Sequence, residues 1–169
     1  MNKGFTLVEI LIVVIILGIL AAIVIPQFSN ASNDARKSSL TSQLQTLRSQ
    51  ISLYSLQHLD KYPTDLVAGG TGTTPWTLLL GKTNQDQSTT GNPNLGPYLQ
   101  TAPANNLNGW TDVDSTITTD LGTGGVANPG SKTAGWLFNP TTGKIWATSA
   151  KGGFVYNESN ANDDNNLTK

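Results

Sequence analysis

The residues whose types and spacing could do chemistry stand at the start of the chain, in Lys3-Gly4-Phe5-Thr6-Leu7-Val8-Glu9. They open a run of 21 residues, 5–25, in which only Thr6 and Glu9 are polar. As a helix rising ~1.5 Å per residue, that run is long enough to cross a hydrocarbon layer, which takes about 20 residues. A carboxylate five residues into such a helix is costly and implies a partner or a function. A cut after Gly4 would supply a partner, because the new α-ammonium at Phe5 would lie one helical turn from Glu9 and offset its charge. The same pairing between neighbouring chains would set the axial register of one helix against another. The competing view of Glu9 is an acid near a helix end that snorkels to the interface.

The rest of the chain offers little reactive chemistry. His58 is the only histidine; it falls on an apolar stripe, where a hydrogen-bonded, partly buried role is expected rather than catalysis. Asp112-Val113-Asp114 has a spacing that a metal site could use, against the ordinary reading of solvated acids in a turn. The tail Asn160-Ala161-Asn162-Asp163-Asp164-Asn165-Asn166 offers oxygen ligands suited to a hard cation, against a plain polar terminus. Trp76, Trp110, Trp136 and Trp146 are expected to pack the core, with an aromatic binding surface as the alternative. No nucleophile with its acid and base, no phosphate loop and no His-rich metal motif appears, so the chain is not expected to be an enzyme. The absence of cysteine removes disulfides and thiolate sites. Ten basic against eleven acidic side chains leave no excess charge to draw the molecule onto nucleic acid.

The elements that position Glu9 follow from hydropathy. A secretory signal peptide is a poor reading of residues 5–25, since its apolar region is about 7–15 residues long and ends at small residues, whereas here Ile25-Pro26-Gln27-Phe28 follows. Lys3 favours a cytoplasmic N-terminus and an exported remainder. Beyond Pro26, Leu40, Leu44, Leu47, Ile51, Tyr54 and His58 recur at steps of three and four, the mark of an amphipathic helix. Arg36, Lys37, Gln43, Gln45, Arg48 and Gln50 fall between them. One helix over about residues 5–59 would be roughly 80 Å long, bent or loosened at Pro26 and ended by Pro63. Gly, Pro, Asn and Thr then signal turns, with one short helical turn near residues 76–80. The β-prone runs 134–138, 144–148 and 153–156 predict a three-stranded antiparallel meander. The helix stripe is the long apolar surface available to cover it. The fold class is α+β: a long N-terminal helical spine with a small C-terminal antiparallel sheet packed on its outer half.

The N-terminal stretch resembles the class III signal of type IV prepilins and type II secretion pseudopilins, over the first third of the chain. The resemblance implies a membrane peptidase that cuts after Gly4 and methylates Phe5. It also implies that Glu9 contacts the amino terminus of a neighbouring subunit, and that Gly18 and Pro26 mark where the helix loosens in a filament. Implied partners are other copies of the chain, minor pilins or pseudopilins, an inner-membrane platform protein and a cytoplasmic ATPase. The implied location is a single-pass inner-membrane pool, with the outer domain in the periplasm or outside the cell, feeding a filament. Tyr62-Pro63-Thr64, then Gly96-Pro97-Tyr98-Leu99 and Pro103, look like the major pseudopilin of type II secretion, a member of the family without a cysteine-closed loop. By resemblance that subunit often binds calcium near its C-terminus, which would fall here on Asn162, Asp163 and Asp164. The expected division is 1–4 leader, 5–25 transmembrane and filament-core helix, 26–61 amphipathic continuation, and 62–169 outer domain. The alternatives are a pilus pilin for adhesion, motility or DNA uptake, and a membrane-anchored ligand-binding domain.

Overall fold

A computed structural model describes residues 4, 6–66 and 75–160, with the backbone alone at residues 29 and 30. The chain divides into two compact units, Met1–Arg36 and Lys37–Lys169. Helix α1 covers Leu7–Gln57, so residues 7–36 belong to the first unit and 37–57 to the second. In the first unit, residues 7–28 are all exposed. Among the described residues, α1 is the one helix long and apolar enough to cross a membrane. The helical assignment continues without interruption through Pro26, although the ring removes one backbone donor there.

In the second unit the stripe behaves as the periodicity demands. Leu40, Leu44, Leu47, Ile51, Tyr54 and His58 are each at 2 % exposure or less. The first five pack with Trp76, Leu79, Trp136, Phe138, Ile145 and Tyr156 into the main core. Full burial of one such aliphatic or aromatic side chain is worth roughly 1.5–3 kcal/mol, so this stripe is what holds the second unit on its stretch of helix. Helix α1 stops at Gln57, before the proline that was expected to end it. Leu59 and Asp60 take left-handed φ values of 56° and 58°, and the Asp60 N–H donates back to Ser55 O at 2.9 Å. That long-range closing bond is a Schellman-type stop. Without a glycine at the left-handed position, the sequence does not announce it.

A 3₁₀ turn at Thr64–Leu66 follows, then α2 at Thr77–Leu80, the short helical turn expected near residues 76–80. The sheet has strands β1 (Val113–Asp114), β2 (Trp136–Phe138) and β3 (Ile145–Ala147), in that spatial order. The pairing β2–β3 is antiparallel, with Leu137 opposite Trp146. Its turn depends on Gly143, whose φ is +69° and where a Cβ would fall on the Tyr62 ring. The small sheet is therefore present, but it is mixed rather than a wholly antiparallel meander, because β1 pairs parallel to β2. The Asp112 carbonyl accepts the Gly135 and Trp136 N–H groups at 3.0 and 3.1 Å, which brings a distant loop in beside β2. Residues 153–156 do run antiparallel beside β3, through a single bridge, Thr148 with Val155. They do not extend as a strand, since Val155 turns its other edge to Val126 and Gly125.

Both faces of this sheet are covered. Trp136, Phe138, Ile145 and Ala147 face the helix stripe, while Leu137 and Trp146 pack with Ile117, Val155 and Leu121 in a second cluster. Loop 115–121 thus supplies a cover that hydropathy alone does not reveal.

Candidate functional site

The site begins where α1 begins. Gly4 is exposed, while Phe5, with residues 1–3, lies outside the described residues. Thr6 is the helix N-cap: its carbonyl accepts the first intrahelical bond, from the Ile10 N–H at 3.4 Å. Its hydroxyl oxygen accepts the Glu9 N–H at 3.3 Å, and its own N–H donates to Glu9 Oε2 at 2.8 Å. This reciprocal pattern is a capping box, in which two otherwise orphaned N–H groups of the first turn are satisfied by side chains. The Thr6 hydroxyl also donates to the same Oε2 at 2.8 Å. Thr6 is the functional residue that the sequence reading passed over; its signal was the spacing Thr6-Leu7-Val8-Glu9, a Thr-x-x-Glu directly before an apolar run.

Two consequences follow for Glu9. The carboxylate is held by its own chain at the helix start, where the helix dipole favours negative charge. Both Thr6 bonds fall on Oε2, and among the described residues none donates to Oε1. Around it, Leu7, Val8, Ile10, Leu11 and Ile12 are more than half exposed, so one fixed carboxylate stands on an otherwise apolar rod. Gly18 is exposed on the same helix with no atom within 4 Å of where a Cβ would sit, and Pro26 is exposed within it.

His58, three of the tryptophans and Asp114 have structural roles. His58 is buried; its Nδ1 donates to the Tyr54 carbonyl at 2.7 Å, and its Nε2 is hydrogen-bonded to the Thr83 hydroxyl at 2.8 Å. The ring stacks on Tyr54 at 3.7 Å. Trp76 and Trp136 meet edge to face at 6.3 Å, and their indole N–H groups donate to Thr111 O and Pro103 O. Trp146 is equally buried, so three of the four tryptophans pack the core. Asp114 is no solvated acid: it is buried, and its carboxylate accepts from the Thr116 N–H and hydroxyl and from the Ser131 N–H. Burial opposes its ionisation, but those donors prevail and hold its carboxyl below the usual aspartate range. Among the described residues no three His, Cys, Asp or Glu side chains cluster as a metal site. Asn162, Asp163 and Asp164 lie outside the described residues.

A cleft of about 460 Å³ beside the sheet is lined by Arg48, Tyr62, Asp120, Lys144, Trp146 and Glu158. Its charges are engaged with one another. Arg48 grips Glu158 with two N–H groups, both at 2.6 Å, and also donates to Ile145 O. Lys144 pairs with Asp120 at 2.5 Å, which Thr142 and Asn139 also donate to. Among the described residues, the four charged side chains that line it are all paired.

Comparison with known proteins places the first of these regions in a class. Residues 1–25 match the family described as the prokaryotic N-terminal methylation motif. The chain is also similar to the type II secretion system core protein G of Dickeya chrysanthemi, 40% identical over 63 residues that make up 37% of this chain and 40% of that protein. The core protein G of Pseudomonas aeruginosa is 38% identical over 62 residues, 37% of this chain and 43% of that protein. The type IV major fimbrial protein FimA of Dichelobacter nodosus is 53% identical over 49 residues, 27% of this chain and 31% of that protein. The chain thus spans about two fifths of the length of the first curated relatives it matches. No solved structure matches it.

Proposed function

We propose that the chain is a structural, non-enzymatic subunit of a type IV-family filament, and specifically a major pseudopilin of a type II secretion system. The observation that carries the reading is Glu9: a single carboxylate, pre-positioned by Thr6, at the start of an exposed apolar helix that follows Gly4. Residues 1–4 are the leader, cut between Gly4 and Phe5 by a prepilin peptidase that then methylates Phe5. Residues 5–25 hold the subunit in the inner membrane with the outer domain, 62–169, on the far side. In the filament these segments leave lipid and pack against one another, with residues 26–61 continuing the helix and Gly18 and Pro26 as the points where it yields. Lipid is already apolar, so assembly gains less from burial than the same contact in water would. This supports a requirement for an external motor, supplied by the platform protein and its ATPase.

Glu9 sets register. Its Oε1 accepts the Phe5 ammonium of the neighbouring subunit, while Thr6 holds the carboxylate from the other side. A buried charge left without that partner is strongly unfavourable, so only the correct axial offset is tolerated. The similarity to the fimbrial protein favours a second reading, a surface pilus pilin; deleting the chain and scoring protein secretion against surface fibres separates the two. The reading as a whole is tested by intact mass and N-terminal sequencing of the membrane-extracted protein from cells carrying the peptidase. A chain that starts at N-methylated Phe5 supports it. A chain that still starts at Met1 refutes it and leaves a membrane-anchored binding domain as the better account.

A further inference from the structure

The sequence contains a single Asn-Gly pair, Asn108-Gly109, and the second unit both calls for that pair and holds it shut. Gly109 has a φ of +78°, a left-handed backbone that glycine adopts without steric cost. Asn108, half-buried, closes the turn with its side chain. Its Oδ1 accepts the Trp110 N–H at 3.0 Å, and its Nδ2 donates to Thr148 Oγ1 at 2.8 Å and to Ser149 O at 3.0 Å. The Gly109 N–H donates to the Asn105 carbonyl at 2.7 Å, and the Asn108 N–H to the same oxygen at 3.3 Å. Asn105 is itself completely buried and fixed by its bonds to the carbonyls of Gly135 and Thr148.

An asparagine before glycine is chemically labile, because the next main-chain nitrogen reaches the side-chain amide with no Cβ in the way. Gly109 N bonds to Asn108 Cγ and gives up its proton, the Cγ–Nδ2 bond breaks, and ammonia leaves with that proton. Water then opens the cyclic imide, at Cγ to give aspartate or at the main-chain carbonyl to give isoaspartate. In the folded unit each group that this needs is engaged. The carboxamide turns onto Gly109 N only by leaving Thr148, Ser149 and the Trp110 N–H, and the nitrogen is freed only by leaving Asn105 O. Neighbouring asparagines lack the same opportunity. Asn92 and Asn128 precede prolines, whose nitrogen has no proton to lose, and Asn94, Asn105 and Asn106 precede residues that carry a side chain.

We propose that Asn108 is a modification site closed by folding: the chain deamidates there when the second unit opens, and the product fits the native loop less well than the amide did. This stands independently of the filament reading. Aspartate at position 108 puts a carboxylate oxygen where Nδ2 was, against the Ser149 carbonyl and a Thr148 hydroxyl that already donates to Ala134 O at 2.7 Å. Two hydrogen bonds are thereby replaced by contacts between acceptors. Isoaspartate inserts an extra carbon into the main chain between the Asn108 and Gly109 N–H groups, which share the Asn105 oxygen. A chain that stays open is therefore altered irreversibly, and its lifetime is set by how often the unit opens.

The test uses the full chain in detergent micelles, incubated in mildly alkaline buffer at one temperature, with and without urea enough to unfold it. Each sample is digested briefly with trypsin beside an unincubated control. The peptide of residues 83–132, bounded by cuts after Lys82 and Lys132, is fragmented to place the mass gain of amide to acid. Conversion at Asn108 is expected in the unfolded chain and at least about tenfold more slowly in the native one, since reaction through an opened state scales with its population. Comparable rates in the two samples overturn the closure, and an unfolded chain that keeps its amide at Asn108 overturns the site. Asn108→Asp, which carries the product without the inserted carbon, is expected to melt below wild type or not to fold. A melting temperature equal to or above that of wild type overturns the misfit of the product.

Discussion

Removing the side-chain amide of Asn105 should damage the second unit more than removing a comparable volume of hydrocarbon. Asn105 is completely buried. Its Nδ2 donates to the carbonyls of Gly135 and Thr148, each at 2.9 Å, and its Oδ1 accepts the Leu107 N–H at 2.9 Å. It therefore ties the loop around residues 103–110 to the ends of β2 and β3. In Asn105→Ala the Gly135 carbonyl keeps the Thr148 N–H at 3.0 Å, so the buried group left orphaned is the Thr148 carbonyl. One buried unsatisfied carbonyl, that of Thr148, at roughly 1–2 kcal/mol, plus about 1 kcal/mol for each of the other two bonds, gives a loss of about 3–4 kcal/mol. For a unit of this size that lowers the melting temperature by about 10–20 °C, at roughly 3–5 °C per kcal/mol. Asn105→Asp keeps the shape but turns a donor into a charged acceptor facing two carbonyls. It should be worse than alanine at neutral pH and recover part of the difference in acid, where the carboxyl can donate. The assay is thermal unfolding of the full chain in detergent, followed by near-UV circular dichroism. A loss below about 1 kcal/mol for alanine, or an aspartate variant as stable as wild type at neutral pH, would refute the reasoning.

Leu44→Ala, at a position with no exposure, should cost about 2–5 kcal/mol in chemical denaturation of the second unit, while Leu56→Ala, on the exposed side of the helix, should be nearly neutral. Glu9→Ala should insert in the membrane and be cut normally but fail to yield sedimentable filaments, and Thr6→Ala should reduce their yield; abundant filaments from Glu9→Ala would remove the register argument. Asp114 has a depressed carboxyl, so its contribution is present above the ordinary aspartate value and is lost as pH falls through the lower folded value. Asp114→Asn should flatten the acid limb of the stability curve, and an unchanged limb would count against the bonds from Thr116 and Ser131 as its cause. Should the C-terminal tail hold calcium, millimolar calcium raises the melting temperature and Asn162→Ala, Asp163→Ala, Asp164→Ala together remove that rise; a rise that survives the triple substitution places the ion elsewhere.

Much of the architecture was legible because it rests on periodicity. Leu40, Leu44, Leu47, Ile51, Tyr54 and His58 mark one helix face by spacing alone, and every one of them is buried. The apolar run of residues 5–25, the acid within it and the Gly4-Phe5 junction are likewise properties of composition and order. The hairpin of β2 and β3 was readable from two β-prone runs around a Pro-Thr-Thr-Gly turn. Even the Thr6 cap had a local signature, because its partner lies three residues away.

What only the tertiary structure decided involves partners far apart in sequence. The parallel pairing of Val113 with Trp136, the cover that Ile117 and Leu121 give the second face of the sheet, and the clamp of Arg48 on Glu158 across 110 residues leave no periodic trace. The same holds for Asp65: as a sequence symbol it is one more acid in a turn, and its burial and its bond to the Leu78 N–H appear only once the 3₁₀ turn and α2 come together. Local order determines helices, caps and turns because their partners are near neighbours; which donor meets which acceptor in the core is set by packing, and packing is a property of the whole fold.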